Sequence, residues 1–474
     1  MKLIMKSLPY FFALGLLALL PGCAVGPDYV RPEIAMTPQF KELGIWQPAM
    51  PQDDVLRDRW WEMYADPVLS QLMDKVALDN QNIVSAQAQY QQALALVKQA
   101  DANFWPSLTA NADYTKSNAS GTSTAVAKQY SAKLQAAWEV DLWGAIRRNT
   151  EAGKASSAAS LANLEVVKLS AYLALSQAYF QLRIADLQSV VAQGTVEAYK
   201  KVLEITRVRY QSGTDSQVAL ITAENQLKSA QLTLAELRIQ RAKMEHAIAV
   251  LIGQTPSSFS IAQQLDWNVA PPVFPVSVPS QLLERRPDIA VAERNVAAAN
   301  ARIGVAQSAY FPGLNISASG GYQGSGWHHL FDLPNRIWSL GPSLAFSVFD
   351  GGAIHTQVLQ AEAVYQQTVA NYRQTVLTAL QEVEDNLSTL NILSDELTEQ
   401  EQIVHNANQS MERVLNQYHA GVTDYLSVAT ALASTQNSEN ARLLLLARYY
   451  AAHVALIAAL GGGWHTNAFA DAKK

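Results

Sequence analysis

The chain of 474 residues contains a single cysteine, Cys23, and comparatively few charged residues. One cysteine excludes intrachain disulfides and a cluster of metal-bound thiolates. Charged residues make up 16% of the sequence, which is low for a soluble chain of this size. The net charge of −6 argues against the basic surface that nucleic-acid binding requires. No run of 18 apolar residues follows the N-terminus, so the sequence predicts no ordinary membrane-spanning helix.

The sequence also lacks the short motifs of common catalytic sites. It contains no His-Glu-x-x-His, no Gly-x-Ser-x-Gly and no Gly-x-x-x-x-Gly-Lys segment. The pair His328-His329 could contact a metal, but an exposed histidine pair in a loop is more often simply solvated. The acids Glu382, Glu384 and Asp385 fit a solvated or lumen-facing stripe of a helix. We therefore predict that the protein is not an enzyme and holds no metal and no dissociable cofactor.

The N-terminus has the pattern of a secretory signal peptide, residues 1–22. Lys2 and Lys6 precede an apolar stretch, and the segment ends in Leu20-Pro21-Gly22-Cys23. That ending is similar to a bacterial lipobox, in which the cysteine is acylated, for example with palmitate, after cleavage. The alternative is a secreted protein with a free thiol. Since each buried acyl CH₂ contributes about 0.8 kcal/mol, several chains on Cys23 would anchor the lipidated, extended segment 23–66 firmly.

The sequence contains an internal repeat of two similar units. Tyr210-Gln211-Ser212-Gly213 recurs 208 residues later as Tyr418-His419-Ala420-Gly421. An internal repeat of this length determines the organisation of the whole fold. The predicted units are residues 67–253 and 281–463. A proline-rich linker, residues 254–280, joins them, and a polar tail, residues 464–474, follows.

Each unit contains two stretches in which apolar and polar residues alternate. They predict strands at about 107–115, 129–141, 313–323 and 338–349. Strands of about ten residues with one apolar face and aromatic ends are typical of a membrane β-barrel. The alternative is a sheet half covered by helices. Four strands cannot close alone, and open edges are not tolerated in lipid. A barrel therefore requires oligomers, with eight strands from two copies or twelve from three.

Long helical runs follow the second strand of each unit. They are predicted at about 151–210 and 355–418, and a shorter helix is predicted at about 67–104. At 1.5 Å per residue each long run spans roughly 90 Å. Apolar residues recur every seven positions, and a returning helix follows each run. This pattern predicts antiparallel coiled-coil pairs.

Several motifs occur in the order found in one known family. These are the lipobox followed by Val25-Gly26-Pro27-Asp28-Tyr29-Val30-Arg31-Pro32, then Leu283-Glu284-Arg285-Arg286-Pro287-Asp288-Ile289, Ala309-Tyr310-Phe311-Pro312, Phe349-Asp350-Gly351-Gly352 and Ala459-Leu460-Gly461-Gly462-Gly463-Trp464. Over nearly the whole mature chain, the sequence resembles the outer-membrane factor family, in its TolC/OprM-like, NodT-type lipoprotein branch. The resemblance implies a mainly α fold with a membrane β-barrel portion. It implies a homotrimer with a 12-stranded barrel, four strands per chain, and a long antiparallel coiled-coil α-barrel.

The resemblance also implies a function. It is that of the outer-membrane exit duct of a tripartite efflux system, which passes small molecules out of the cell from a pump-adaptor complex. The implied partners are a periplasmic adaptor (membrane fusion) protein, an inner-membrane pump of the resistance-nodulation-division class, and outer-membrane lipid. The implied location is the outer membrane of a Gram-negative bacterium, lipid-anchored and extending into the periplasm. Drugs, metals, solvents and lipids are all open as cargo.

Two other functions stay open at this point. One is a trimeric coiled-coil envelope scaffold or adhesin that does not conduct. The other is a lipid-modifying envelope enzyme, for which the sequence shows no catalytic constellation.

The two helix breaks are the candidate functional site. Gly213 and Gly421 can take the left-handed conformation that ends a helix and reverses the chain. If the strands lie in the outer membrane, three copies of each break ring the periplasmic mouth of the duct. The candidate aperture residues are Arg207, Arg209, Asp215, Tyr418, Asp424, Tyr425, Leu426, Ser427 and Thr430.

An arginine near an acid on a neighbouring helix could hold this mouth closed by charged hydrogen bonds. By the resemblance, Leu426 matches a hydrophobic constriction residue, whereas Ser427 and Thr430 stand where family members commonly carry aspartate. We therefore expect hydrophobic packing around Leu426, together with local hydrogen bonds, to contribute more to closure than an acidic ring. The alternative is that the polar residues are merely solvated at a loop.

Overall fold

The computed structural model describes residues 24–34, 39–42, 59–118, 126–270 and 286–462. Their backbone forms two compact units. The first contains residues 24–34, 89–118, 126–161 and 291–373, and the second contains 39–42, 59–88, 162–270, 286–290 and 374–462. The predicted signal peptide, the acylated Cys23 and the tail 464–474 lie outside the described residues.

The first unit contains an antiparallel sheet with its strands in chain order. The strands are β1 Ser107–Asn118, β2 Val126–Val140, β3 Gly313–Gly324 and β4 Arg336–Ala345. The central pair, β2 and β3, joins the two repeats. Within the described part of the chain, β1 and β4 each keep one edge without a strand partner. Such edges must be paired before the sheet can enter lipid.

The two faces of this sheet differ in polarity. In the strand register, Leu134 lies opposite Ala110 on one side and Gly320 on the other. The same face carries exposed Leu108, Tyr114, Trp138, Trp338, Leu340 and Leu344. The other face carries Thr109, Asn111, Gln135, Ser317, Ser319, Ser339 and Ser343. An apolar face that none of the described residues covers is expected where lipid is the solvent.

Strand β4 is shorter than the alternation predicts. The prediction extended it to about residue 349, but the strand ends at Ala345. Its partner β3 begins only at Gly313, which pairs with Ala345, so no ladder exists beyond that residue. Phe346 and Val348 continue the alternation as exposed side chains outside the strand.

The helices repeat with the same offset as the sequence motifs. They are α1 Pro67–Asp79, α2 Gln81–Ala102, α3 Ala145–Gln211, α4 Gln217–Leu251, α5 Pro287–Ser308, α6 Ala353–His419 and α7 Tyr425–Ala459. Both α3 and α6 have 67 residues, and both α4 and α7 have 35. Each boundary of α6 and α7 lies 208 residues after the matching boundary of α3 and α4. At 1.5 Å per residue, α3 and α6 are each roughly 100 Å long.

The helix predicted at 67–104 is two helices, because Asn80 interrupts it. The Asn80 backbone is extended, and its Oδ1 accepts hydrogen bonds from the amides of Asn82 (3.0 Å) and Ile83 (3.2 Å). The side chain thereby caps the start of α2. Its Nδ2 donates to the carbonyl of Leu251 at 2.7 Å, which ties the break to the end of α4.

The core of the second unit is rich in aromatic residues. Phe180 stacks on Tyr450 at 4.8 Å, and Trp267, from the predicted linker, contacts both rings. Trp267 is buried, so this part of the linker packs against the helices.

Two helices, α3 and α7, are long and apolar enough to cross a membrane by length and composition, a test that soluble core helices also pass. This test averages hydropathy over a window, so it does not contradict the sequence prediction, which rested on the lack of a continuous run of 18 apolar residues.

Candidate functional site

The two breaks end their helices in the same way. Gly213 and Gly421 have φ of 78° and 75°, values that residues with a Cβ rarely adopt. After the first glycine, the amide of Thr214 bonds to the carbonyl of Arg209 at 2.8 Å. After the second, the amide of Val422 bonds to Gln417 at 2.9 Å. Both are Schellman motifs, which satisfy the last carbonyls of α3 and α6.

The returning helices begin with matched caps. Ser216 Oγ accepts from the amide of Ala219 at 3.2 Å, and Asp424 Oδ1 accepts from the amide of Ser427 at 3.0 Å. The two caps are 208 residues apart, so the repeat conserves the position of the cap although one capping residue is a serine and the other an aspartate. Serine and aspartate are both preferred at this position.

A charged cluster joins the two breaks, and it consists of Arg209, Asp215, Tyr418 and Thr206. The guanidinium of Arg209 bonds to both carboxylate oxygens of Asp215, at 3.0 and 3.3 Å. It also donates to the carbonyl of Tyr418 at 3.2 Å and lies 4.7 Å from the centre of that ring. The Tyr418 hydroxyl donates to Asp215 at 3.0 Å and lies 2.9 Å from Thr206 Oγ1. The arginine and its acid both come from the first break and hold a tyrosine of the second.

This cluster has no copy in the other half of the repeat. The positions that match Arg209 and Asp215 are Gln417 and Thr423, which cannot form an ion pair. Tyr418 is fully buried, whereas its counterpart Tyr210 is exposed. Burial is the main cause that raises the pKa of Tyr418, so its hydroxyl keeps the proton that it donates to Asp215.

Beneath the cluster lies an apolar core that both helix pairs build. Its buried members are Val196, Tyr199, Val202, Ala223, Ala230, Tyr418, Tyr425, Val428 and Leu432. Tyr425 therefore packs inside the helices rather than facing outward, and its buried hydroxyl has no hydrogen-bond partner within the described residues. Burial raises the pKa of Tyr425 to about 12.

The apolar candidate Leu426 is 69% exposed, one residue into α7. Its counterpart in the first repeat, 208 residues earlier, is Val218, which is 72% exposed and occupies the same place in α4. Sequence reasoning did not include Val218, although the repeat offset was sufficient to find it. Two large apolar side chains, one from each repeat, are thus uncovered at the same helical position beside the breaks.

The remaining aperture candidates make local contacts. Arg207 is exposed and reaches Glu224 at 3.4 Å, outside the charged cluster. The Ser427 hydroxyl donates to Asp424 at 2.7 Å, and that of Thr430 donates to the carbonyl of Leu426 at 2.8 Å. The acid that contacts Ser427 is therefore Asp424, the residue that caps α7.

The histidine pair and the acids of α6, which lie outside the two breaks, form contacts within the protein. His329 Nδ1 lies 3.0 Å from Asp332, and no group of three or more potential metal ligands occurs among the residues described. Glu382 is not simply solvated, because it accepts from Arg286 at 2.7 Å. Glu384 likewise accepts from the amides of residues 41 and 42, at 2.7 and 2.9 Å.

Asp424 provides a pH-dependent prediction. Hydrogen bonds from the Ser427 side chain and amide lower the pKa of Asp424. The cap therefore stabilises α7 above the carboxyl's ordinary pKa, and this stabilisation is lost as the pH falls through the lowered value. Amide hydrogen exchange over residues 424–428 should accelerate on acidification, after correction for the intrinsic exchange rate. Asp424→Asn keeps a capping oxygen without a titrating group, so its corrected exchange should not respond; an equal response would contradict the assignment.

Comparison with known proteins identifies the family. A family model described as outer membrane efflux protein matches residues 72–254 and 278–462. The cation efflux system protein CusC of Escherichia coli O6:H1 is 27% identical over 464 residues, which cover 97% of this chain and 99% of CusC. The pyoverdine export outer membrane protein OpmQ of Pseudomonas putida is 28% identical over 452 residues, covering 91% and 95%. The structure of the outer-membrane channel OprN superposes with a TM-score of 0.86 at 29% identity, covering 93% of this chain and 100% of OprN.

These similarities confirm the predicted fold class and the exit-duct function. Three copies of the chain join their four-stranded sheets into one β-barrel, and their antiparallel helices form an α-barrel. The channel lies in the outer membrane, extends into the periplasm, and works with a periplasmic adaptor and an inner-membrane pump. Since the family match covers both repeats and most of the chain, this protein belongs to the outer membrane efflux protein family.

Proposed function

We propose that the two helix breaks form the periplasmic mouth of the duct and that the Arg209–Asp215–Tyr418 cluster holds it closed. The observation that carries this proposal is the bond of Arg209 to both Asp215 and the Tyr418 carbonyl, which ties one break to the other. Each break ends an unbroken 67-residue helix, and α3 begins five residues after β2. Along the sequence, each break therefore follows the end of its helix that is opposite to the strand-linked end.

The exposed pair Val218 and Leu426 supplies the second element of the mouth. In a trimer, three copies contribute six such side chains at one level. An apolar constriction of this kind closes a channel by excluding water, without a charged plug. Leu426 was proposed from the sequence as the constriction residue, and Val218 gives it a partner from the first repeat.

Opening requires the helix pairs to swing outward and Arg209 to release Tyr418. Hydrogen bonds to charged groups contribute about 1.5–3 kcal/mol each. A lock of this size keeps the mouth closed at rest, yet a partner protein that binds the helix ends can supply enough energy to open it. Closure then depends on an ion pair at one break and on apolar contact beside both.

The duct performs no chemistry of its own in this proposal. It holds no metal or cofactor, and its lipid is the acyl group on Cys23, which lies outside the described residues. The inner-membrane pump, of the resistance-nodulation-division class, selects the cargo. Two relatives of similar identity are named for different cargoes, cations and pyoverdine. Such a spread is expected when the duct itself does not select.

Conductance of the purified trimer in planar bilayers tests the constriction. Replacing both side chains, Leu426→Ala with Val218→Ala, widens the ring and should raise the frequency of conducting events. Leu444→Ala is the matched control, because Leu444 is an exposed leucine farther along α7. If the double variant conducts like the wild type, or if Leu444→Ala conducts as much as the double variant, this placement of the mouth is wrong.

A further inference from the structure

A group of cations lies at one end of the apolar face of the sheet. Lys116 and Lys128 are directly opposite each other in the β1–β2 register. Like charges at such a position are expected to destabilise the pair. Both side chains are exposed, and within the described residues neither forms an ion pair. An anion from outside the chain would offset this repulsion.

Strand parity places these lysines on the lipid-facing side. Lys116 follows Tyr114 by two residues, and Lys128 precedes Tyr130 by two. Tyr114 and Tyr130 are themselves opposite each other, with ring centres 4.8 Å apart. Because strand side chains alternate between faces, each lysine shares the face of its neighbouring tyrosine. Lys116 and Lys128 therefore lie on the apolar face, two residues beyond the pair formed by Tyr114 and Tyr130.

Strand β4 adds a third cation to this face. Arg336 opens the strand, is exposed, and has the parity of Trp338 and Leu340. It is opposite Tyr322, whose ring lies 5.4 Å from Phe331. The acids on the strands, Asp113 and Glu139, have the opposite parity.

The loop between β3 and β4 turns aromatic residues toward the same edge. Trp327 lies 5.9 Å from Tyr130, and Trp327, Phe331 and Leu333 are exposed. Tryptophan and tyrosine are enriched where the acyl region of a bilayer meets the head groups. The acid of this loop, Asp332, is held by His329 at 3.0 Å.

This edge is the end of the sheet away from the helices. The short connections β1–β2 and β3–β4 lie here, whereas α2, α3, α5 and α6 connect to the opposite strand ends. In an outer-membrane channel whose helices extend into the periplasm, this edge meets the outer leaflet. At the other end of the sheet, the ring of Trp143 stacks on that of Phe311, with ring centres 4.7 Å apart.

We propose that Lys116, Lys128 and Arg336 bind the phosphate groups of a phosphorylated glycolipid of the outer leaflet, with the chemistry of lipid A. Its acyl chains lie along the apolar face, and Trp327 packs at the boundary between chains and head group. Lysine and arginine are the side chains that bind phosphate. A phosphate at this edge neutralises the Lys116–Lys128 pair, which has no acid on its own face.

The test measures how much lipid A the intact trimer retains, by native mass spectrometry, after exposure to phosphatidylethanolamine vesicles containing lipid A. Lys128→Gln should lower retention about fivefold, and the triple variant Lys116→Gln, Lys128→Gln, Arg336→Gln should lower it on the order of 100-fold. Lys133→Gln is the matched control, since Lys133 lies on the same strand and faces the other way. It should retain as much lipid A as the wild type.

Two further arms identify the source of the phosphate. Dephosphorylated lipid A should bind wild type and triple variant equally, and millimolar inorganic phosphate should not displace lipid A from the wild type. Full displacement by inorganic phosphate would indicate a free-anion site and overturn the lipid assignment. Equal retention by the triple variant, or equal losses in Lys128→Gln and Lys133→Gln, would overturn it as well. Trimer bands on unheated gels confirm assembly, and the single variants carry the test if the triple variant does not assemble.

Discussion

Replacing Arg209 with alanine is expected to convert a mostly closed channel into one that conducts often. The substitution removes both bonds to Asp215 and the bond to the Tyr418 carbonyl. At about 1.5–3 kcal/mol for a hydrogen bond to a charged group, losing one such bond per chain should raise the open-to-closed ratio by about tenfold or more. Single-channel recording of the purified trimer measures this ratio directly.

Arg207→Ala is the control for this experiment. Arg207 lies on the same helix two residues earlier, and its ion pair with Glu224, at 3.4 Å, is exposed. Exposed pairs of this kind contribute little, so the open-to-closed ratio should stay near that of the wild type. Tyr418→Phe should give an intermediate increase, since it loses the hydroxyl bonds but keeps the carbonyl contact. An Arg209→Ala channel as quiet as the Arg207→Ala channel would show that the cluster is not a lock.

Replacing Asp186 with alanine should have the largest effect on stability. The Asp186 carboxylate is fully buried and accepts bonds from Arg183 (3.1 Å), Arg241 (2.7 Å) and the amide of Gln264 (3.2 Å). Its loss leaves the buried Arg183 without its acid and leaves Arg241 with Glu245 alone. Breaking a buried pair in this way costs about 3–5 kcal/mol. The temperature at which the trimer dissociates should fall markedly.

The same arginines hold the linker, which gives a second readout. Arg183 donates to the carbonyl of Ala262 at 2.9 Å, and Arg241 donates to that of Ile261 at 2.6 Å. Limited proteolysis near these residues should therefore accelerate in Asp186→Ala. Glu197→Ala is the control, because Glu197 lies on the same helix and forms an exposed pair with Lys200. Dissociation and cleavage like those of the control would show that the network does not stabilise the unit.

The repeat, the long helices and the polarity of the strands were predictable because their signals are local and periodic. Heptad spacing indicated α3 and α6, and alternation indicated which face of each strand is apolar. Even the ends of the long helices followed from glycines that favour a left-handed conformation, such as Gly213 and Gly421. These features need no knowledge of what packs against them.

Features that depend on a distant partner were not predictable. Asn80 interrupts a helical pattern because its side chain caps α2 and contacts the end of α4, 171 residues away. Strand β4 ends where its partner β3 begins. The bond between Arg209 and Tyr418 joins residues of different repeats, and sequence alone gave both as candidates without pairing them. Val218 was missed for another reason. The 208-residue offset of the repeat relates Leu426 to Val218, but the prediction did not apply this offset to Leu426.

The most direct test of the proposed mouth is whether Leu426 lines the conducting path. Leu426→Cys in the Arg209→Ala background, with native Cys23 acylated, places one reactive thiol per chain beside the breaks. A charged methanethiosulfonate reagent added to the recording chamber should then reduce single-channel conductance in up to three steps, one for each copy, and a reducing agent should restore it. If mass spectrometry shows all three thiols modified while conductance stays unchanged, cargo does not pass Leu426 and the mouth is elsewhere.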